Sequence, residues 1–340
     1  MELELYRAMA AGLLSYSACR LLLWLWVHCL RRPTDLWERY TCDRDSKTAP
    51  CWAVVTGGTR GIGQAFARRL AARGFSILLV GRASPRLDEA LADLRGAGRQ
   101  RGVRLRQGGR EWRCEKVEVD FASSTAAAAG ESGARAVTIR ALVTAMRNKD
   151  VAILVNNVGA TLGPLAYFTA ASPAELAQLC DVNIRSALLL TRLVLPGIVD
   201  RGSGAVVNLS SLSAFQASPM LSAYAATKAF VHSLSRSLAE EVSEWPRVDV
   251  LSVAPGFVDT DLARELFGSA AAATTASGAK TVDGSGAETF SRSSSRQCCR
   301  CPPAVAPEGV AASVLRQLGN GWSTYTFGHW KHSVQRGLMS

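Results

Sequence analysis

Three observations predict an α/β fold built on a doubly wound parallel sheet. From residue 51 onward short apolar runs alternate with helical stretches, the pattern of strands covered on both faces by crossover helices. The first run passes straight into a glycine-rich turn, Thr56-Gly57-Gly58-Thr59-Arg60-Gly61-Ile62-Gly63. The chain also has the material for one large core, with 340 residues of which 48% are hydrophobic. Right-handed crossovers then give the Rossmann-type arrangement. The same composition excludes wholesale disorder. Nine Cys, odd in number and sparse for this length, argue against a disulfide scaffold.

The elements follow in order. After a tail over 1–8, residues 9–30 carry one formal charge, Arg20, and end in LLLWLWVHCL before Arg31-Arg32-Pro33. As a helix this stretch spans about 33 Å, close to a bilayer core of about 30 Å, and reads as a membrane anchor. Arg20 keeps open a helix lying on the membrane or docked on the protein. The acidic start and the missing small-residue cleavage site argue against a removed signal peptide. Arg31 and Arg32 outweigh Arg7, which places the rest of the chain in the cytosol. Residues 31–50 read as a linker, and 51–340 as a single domain.

Within that domain the expected strands are CWAVVT (51–56), FSILLVG (75–81), KVEVD (116–120), VAILVNN (151–157), GAVVNLS (204–210) and VDVLSVA (248–254). Helices are expected over 61–73, 85–95, 173–195 and 223–244. Three inserts interrupt the pattern, at about 95–116, 122–136 and 268–300. The last is low-complexity, 22 of its 33 residues being Gly, Ala, Ser or Thr. Cys298, Cys299 and Cys301 at its end lack the further ligands a zinc site needs, so no metal is expected.

The glycine-rich turn lies between a strand and a helix, where glycines let the backbone approach a pyrophosphate on the helix N-terminus. The end of the second strand selects the dinucleotide. NAD binding calls for a carboxylate there, to hold the ribose 2′-hydroxyl. This chain instead reads Val80-Gly81-Arg82. Arg82 and Arg60 offer two guanidinium forks to a 2′-phosphate, so NADP(H) is the expected cofactor.

Tyr224 and Lys228 lie four residues apart on one helix face. A free phenol titrates near pH 10, too high for efficient proton transfer at neutrality, and a neighbouring ammonium stabilises the phenolate. Thirteen residues before Tyr224, just past GAVVNLS, Ser211 is placed to donate a hydrogen bond to a developing oxyanion. Ser210 and Ser213 compete for that role, and spacing favours Ser211.

Together these motifs resemble the short-chain dehydrogenase/reductase family over roughly residues 51–266. T-G-x-x-x-G-x-G matches Thr56 to Gly63, and N-N-A-G matches Asn156-Asn157-Val158-Gly159 with Val for Ala. The Ser…Tyr-x-x-x-Lys set matches Ser211, Tyr224 and Lys228, and P-G-x-x-x-T matches Pro255, Gly256 and Thr260. The resemblance implies that Tyr224 is the general acid, that Lys228 holds the nicotinamide ribose, and that Ser211 orients the carbonyl. It makes Asn183 the asparagine sustaining a proton relay. Cofactor contacts carry over to Thr56, Gly57, Thr59, Arg60, Gly61, Ile62, Gly63, Arg82, Asp120, Asn157, Gly159, Tyr224, Lys228, Pro255, Gly256, Val258 and Thr260. On the residues alone, Asn183 also reads as a helix cap, Asp120 as a strand-end turn and Thr260 as an N-cap.

The anchor, Asn-Asn-Val-Gly, Leu193-Val194-Leu195-Pro196-Gly197 and the arginine ending strand two are similar to the membrane-bound 17β-hydroxysteroid dehydrogenase/3-oxoacyl-CoA reductase group. That similarity implies NADPH-dependent reduction of very-long-chain 3-oxoacyl-CoA in fatty-acid elongation, or else interconversion of keto- and hydroxysteroids. It implies the endoplasmic reticulum membrane, with the catalytic domain toward the cytosol, and admits a homodimer.

Net charge is +11, yet 151–266 is net acidic, with seven basic and ten acidic groups. Eight basic and two acidic groups fall within 95–116 alone. Such a run is a solvated loop or a site for phosphates or anionic headgroups. With no nucleic-acid-binding signature beside it, no nucleic-acid partner is expected.

Overall fold

The structure, a computed structural model, describes residues 2–25, 33–41, 51–100, 112–122, 134–266, 304–319, 324–329 and 331–332. Seven parallel strands form one sheet in the order β3-β2-β1-β4-β5-β6-β7. They are β1 (Cys51–Thr56), β2 (Ser76–Gly81), β3 (Cys114–Glu118), β4 (Asp150–Asn156), β5 (Ser203–Leu209), β6 (Arg247–Val253) and β7 (Tyr325–Thr326). All residues of β1, β2 and β5 are buried, which is why these strands read as unbroken apolar runs rather than alternating ones.

One face packs on α2 (Leu36–Thr41), α3 (Gly61–Ala71), α4 (Pro85–Gln100) and α9 (Pro307–Gln317), through Phe66, Leu70, Leu87, Val310 and Val314. The other packs on α5 (Ala134–Met146), α7 (Ser186–Arg201) and α8 (Ser222–Glu241), through Leu142, Leu190, Val194 and Ile198. The chain reverses beside β1 between β2 and β4, so the C-terminal strand ends there open a crevice.

The linker expected over 31–50 is corrected in part. Helix α2 lies inside it and belongs to the core, with Leu36 and Tyr40 fully buried and the Trp37 ring 5.1 Å from Phe75. Tyr40 Oη and Arg39 Nε donate to Asp249 Oδ2 at 2.8 and 2.9 Å. Six residues are too few for a helical period to show in the sequence. The loop expected over 95–116 is also shorter than read. Helix α4 runs on to Gln100, β3 begins at Cys114, and Trp112 Nε1 donates to the Phe75 carbonyl at 2.8 Å. Residues 101–111 lie outside the described residues, as do 123–133, 268–300 and the three clustered cysteines.

The first helix, α1, runs over Glu2–Leu25, so it starts before the expected 9–30; residues 26–30 are outside the described ones. Met9, Leu14, Tyr16 and Leu22 on it are exposed. The helix expected over 173–195 is α6 (Pro173–Cys180), a π-helical turn Asp181–Arg185, then α7 to Arg201. By length and hydropathy this stretch could cross a membrane, but α7 is a core helix.

Candidate active site

The glycine-rich turn leaves the buried end of β1. Thr56 Oγ1 accepts from the amides of Asn157 and Val158, both at 2.9 Å. Asn157 Nδ2 returns two bonds, to the carbonyls of Thr56 (3.0 Å) and Gly57 (3.1 Å). The turn is thereby stapled to the end of β4. Gly57 and Gly61 are left-handed, with φ of 61° and 58°. A Cβ on Gly63 would lie 2.3 Å from the Gly57 carbonyl oxygen, so the helix start and the turn touch through backbone alone. This cradle fits a dinucleotide, whose pyrophosphate needs close backbone approach. Ile62 packs partly against the core beneath it, and Thr59 Cγ2 lies 3.9 Å from a Cβ built on Gly81.

Arg82 follows β2 in an exposed position, and the Asp120 carboxylate accepts from the Ala122 amide at 3.0 Å, the strand-end turn anticipated from sequence. Arg60 departs from expectation. Its guanidinium pairs with Asp261 and lies 3.9 Å from Glu265, across the mouth of the crevice. Those carboxylates stand on a helical turn over 261–266 that begins after Thr260. Thr260 caps it, Oγ1 accepting from the Ala263 amide at 3.3 Å. The Thr260 methyl lies 3.1 Å from a Cβ built on Gly61, which brings the two loops into contact. Val258 is buried and bridges to Val305, and the Pro255 carbonyl accepts from the Leu212 amide at 2.9 Å.

Ser211, Tyr224 and Lys228 converge at the end of β5. Ser211 opens a 3-10 turn, Leu212–Phe215, and its hydroxyl accepts from Ser213 Oγ at 3.0 Å and the Ser213 amide at 3.2 Å. Ser210 is excluded from the oxyanion role, since it is buried and donates to the Lys228 carbonyl at 2.7 Å. Lys228 Nζ donates to the Leu209 carbonyl at 2.9 Å and sits 5.8 Å from the Tyr224 ring centroid. Gly159 must be small here: a Cβ on it would lie 3.1 Å from Nζ.

The charges differ from the expectation that Lys228 lowers the tyrosine. Burial pushes the Tyr224 phenol up, and the hydrogen bond with Ser211 is what pulls it back. Burial also lowers Lys228 to about 8. A buried ammonium is itself disfavoured, which limits how much it can favour a phenolate.

Asn183 sits buried in the π-helical turn. Its amide donates to the Ala160 carbonyl and to Thr227 Oγ1, both at 3.0 Å, and its Oδ1 accepts from the Ala160 amide at 2.8 Å. It ties the loop after β4 to the helix bearing Tyr224, and does not act as a helix cap. Thr227 was not singled out from sequence. Its hydroxyl also donates to the Tyr224 carbonyl at 2.7 Å, and its i+3 spacing from Tyr224 was the available signal.

Beside Tyr224 a cleft opens between the loop after β4 and the start of α8. Tyr167, Phe168, Met220 and Leu221 wall it, the first three exposed, with Met220 left-handed at φ 65°.

The sequence model of the family described as short chain dehydrogenase matches residues 51–107 and 113–270. The chain is 33% identical over 232 residues to the very-long-chain 3-oxoacyl-CoA reductase of Mycosarcoma maydis, covering 68% of this chain and 60% of that protein. It is 36% identical over 211 residues to the inactive hydroxysteroid dehydrogenase-like protein 1 of Homo sapiens, covering 62% and 57%. The chain thus spans about 60% of the length of these curated relatives. A 3-oxoacyl-(acyl-carrier-protein) reductase from Agrobacterium tumefaciens with NADP bound is 28% identical, with a TM-score of 0.50, covering 65% of this chain and 77% of that one.

Proposed function

We propose, on the premise that the chain belongs to the short-chain dehydrogenase family, that it is an NADPH-dependent reductase of the ketone of a lipid, foremost a 3-oxoacyl-CoA. The observation that carries this reading is the meeting of Ser211, Tyr224 and Lys228 between a backbone cradle for a dinucleotide and an apolar cleft. Arg82, in place of a carboxylate at the end of β2, favours the 2′-phosphate. Bound NADPH supplies the hydride. Ser211 then donates a hydrogen bond to the carbonyl oxygen, and Tyr224 Oη delivers the proton as that oxygen becomes a hydroxyl. Lys228, held by the Leu209 carbonyl, orients the ribose and keeps positive charge near the phenol. Asn183, bound through Ala160 and Thr227, keeps the two sides of the site in register. Tyr167, Phe168 and Met220 offer an acyl chain an apolar wall that excludes water.

A ketosteroid is the second reading, favoured by the hydroxysteroid dehydrogenase-like name of the Homo sapiens relative and by the same apolar wall. That relative is called inactive, so catalysis itself must be tested. Purified protein is assayed with 3-oxoacyl-CoA of several chain lengths and with ketosteroids, using NADPH and NADH. Turnover of 3-oxoacyl-CoA with NADPH, lost by roughly 10²–10⁴-fold in Tyr224→Phe, is the expected result. Turnover of neither substrate class, or a rate indifferent to Tyr224, overturns the reading. An Arg82→Asp variant is expected to lose its preference for NADPH.

For the chain outside this site, we propose that α1 anchors the protein in the endoplasmic reticulum membrane with 51–340 on the cytosolic side. Its apolar residues are spread around the helix rather than along one stripe, which suits spanning better than lying in the interface.

A further inference from the structure

Among the described residues, His332, near the end of the chain, is a fully buried titratable side chain to which the mechanism gives no role. Its Nδ1 lies 3.0 Å from the Phe327 carbonyl oxygen and its Nε2 3.1 Å from that of Phe257. Carbonyl oxygens only accept, and burial favours the neutral imidazole, so its single N–H serves one of these two carbonyls at a time, and the tautomer with the proton on Nε2 donates to Phe257. Phe257 stands between Gly256 and Val258, in the stretch to which the family resemblance carries cofactor contacts. Its carbonyl also accepts from the Val305 amide at 2.9 Å, and the Val305 carbonyl accepts from the Asp259 amide at 3.0 Å. The Phe327 ring packs 5.7 Å from Phe215, the last residue of the turn that Ser211 opens. One side chain thus joins the C-terminal segment to the cofactor loop directly, and to the serine turn through a ring contact.

We propose that His332 is a positioning residue that holds the loop over 255–260 in its cofactor-binding conformation by donating to the Phe257 carbonyl. Its ring touches no reacting atom in this arrangement, and it acts through the loop. The geometry is specific to a side chain with a donor at that reach. A residue of similar bulk without one would fill the space and leave the Phe257 carbonyl with the Val305 amide as its remaining donor among the bonds described. The cofactor part of this inference rests on the reading above, whereas the loop part does not.

The test compares full-length wild type with His332→Gln, which keeps an N–H donor, and His332→Leu, which keeps bulk alone. NADPH binding is titrated by cofactor fluorescence, thermal stability is measured in parallel, and amide hydrogen exchange is followed over 255–262. His332→Leu is expected to weaken NADPH binding by about tenfold, the scale of one lost hydrogen bond. Exchange over 255–262 should quicken, while amides of β1 and β5 stay protected. His332→Gln should restore binding to within about threefold of wild type even if its melting temperature is lowered as much as that of the Leu variant. Equal binding in all three proteins, or equal loss in Gln and Leu, overturns the proposal. If His332→Leu does not fold, wild-type binding and unchanged exchange over 255–262 in a variant carrying Gln support it, and faster exchange there despite the retained donor overturns it. Should wild type bind neither NADPH nor NADH, the cofactor reading fails, and hydrogen exchange alone still decides whether His332 holds the loop.

Discussion

At the scale of single residues, Lys228 makes the sharpest statement about pH. Burial brings its ammonium down to about 8, so inside the fold the charged form is the disfavoured one. The penalty on stability is therefore full below pH 8 and is relieved as pH rises toward the ordinary lysine value. Function runs the other way, because the cation near Tyr224 is lost above pH 8. The profile of kcat/KM for NADPH, which reports the free enzyme, is expected to fall about tenfold per unit above pH 8. Lys228→Arg keeps a charge that does not titrate in this range, and should remove that limb while lowering the plateau. A limb unmoved in the Arg variant would assign it to another group. Sequence spacing located Ser211, Tyr224 and Lys228, since helix periodicity and a strand end put them near one point. Their electrostatics were not legible. That the Ser210 hydroxyl is spent on the Lys228 carbonyl, and how far burial disfavours the Lys228 charge, depend on packing that no local pattern encodes.

At the scale of elements, two short segments carry more than their lengths suggest. The first is the helical turn over 261–266, whose Asp261 and Glu265 face Arg60. A 2′-phosphate that recruits Arg60 must displace this pairing. Asp261→Asn is therefore expected to tighten NADPH binding and leave NADH binding unchanged. Both partners are well exposed, and such pairs are worth about 0–1 kcal/mol, so the gain should be no more than about fivefold. Cofactor titration with both nucleotides checks it, and a parallel change for NADH would show that Arg60 does not meet the 2′-phosphate. The second segment is α2. Tyr40 is fully buried and Asp249 pushes its phenol further above the ordinary value, on top of the desolvation that dominates. Tyr40→Phe removes one donor to Asp249 and leaves Arg39, which should lower stability by about 1–3 kcal/mol in denaturant titration with an unchanged slope. Strand periods and glycine turns made the six long strands legible. Helix α2 and strand β7, six and two residues long, were not, because elements that short owe their shape to the core they dock on.

At the scale of the whole molecule, α2 decides where the chain can be divided. Helix α1 carries exposed apolar residues, whereas Leu36, Trp37 and Tyr40 close over Phe75 and Asp249. The folded unit built on the sheet therefore includes α2 and reaches back to about residue 33, not only to residue 50 where the strand pattern begins. Two truncations separate the possibilities. Removing 1–32 takes away the proposed anchor and keeps α2. That form is expected to leave the membrane pellet for the soluble fraction, with the melting temperature and the NADPH affinity of the full chain. Removing 1–42 also strips α2 from the core. It removes Leu36 and Tyr40 contacts worth about 3–6 kcal/mol at about 1.5–3 kcal/mol for each large buried side chain, a large share of the roughly 5–15 kcal/mol that holds an ordinary domain folded. This second form should be insoluble or melt far lower. A 1–32 deletion that stays in the pellet after an alkaline carbonate wash would place membrane affinity elsewhere on the chain. A 1–42 deletion as stable as the full chain would show that α2 covers the core without supporting it.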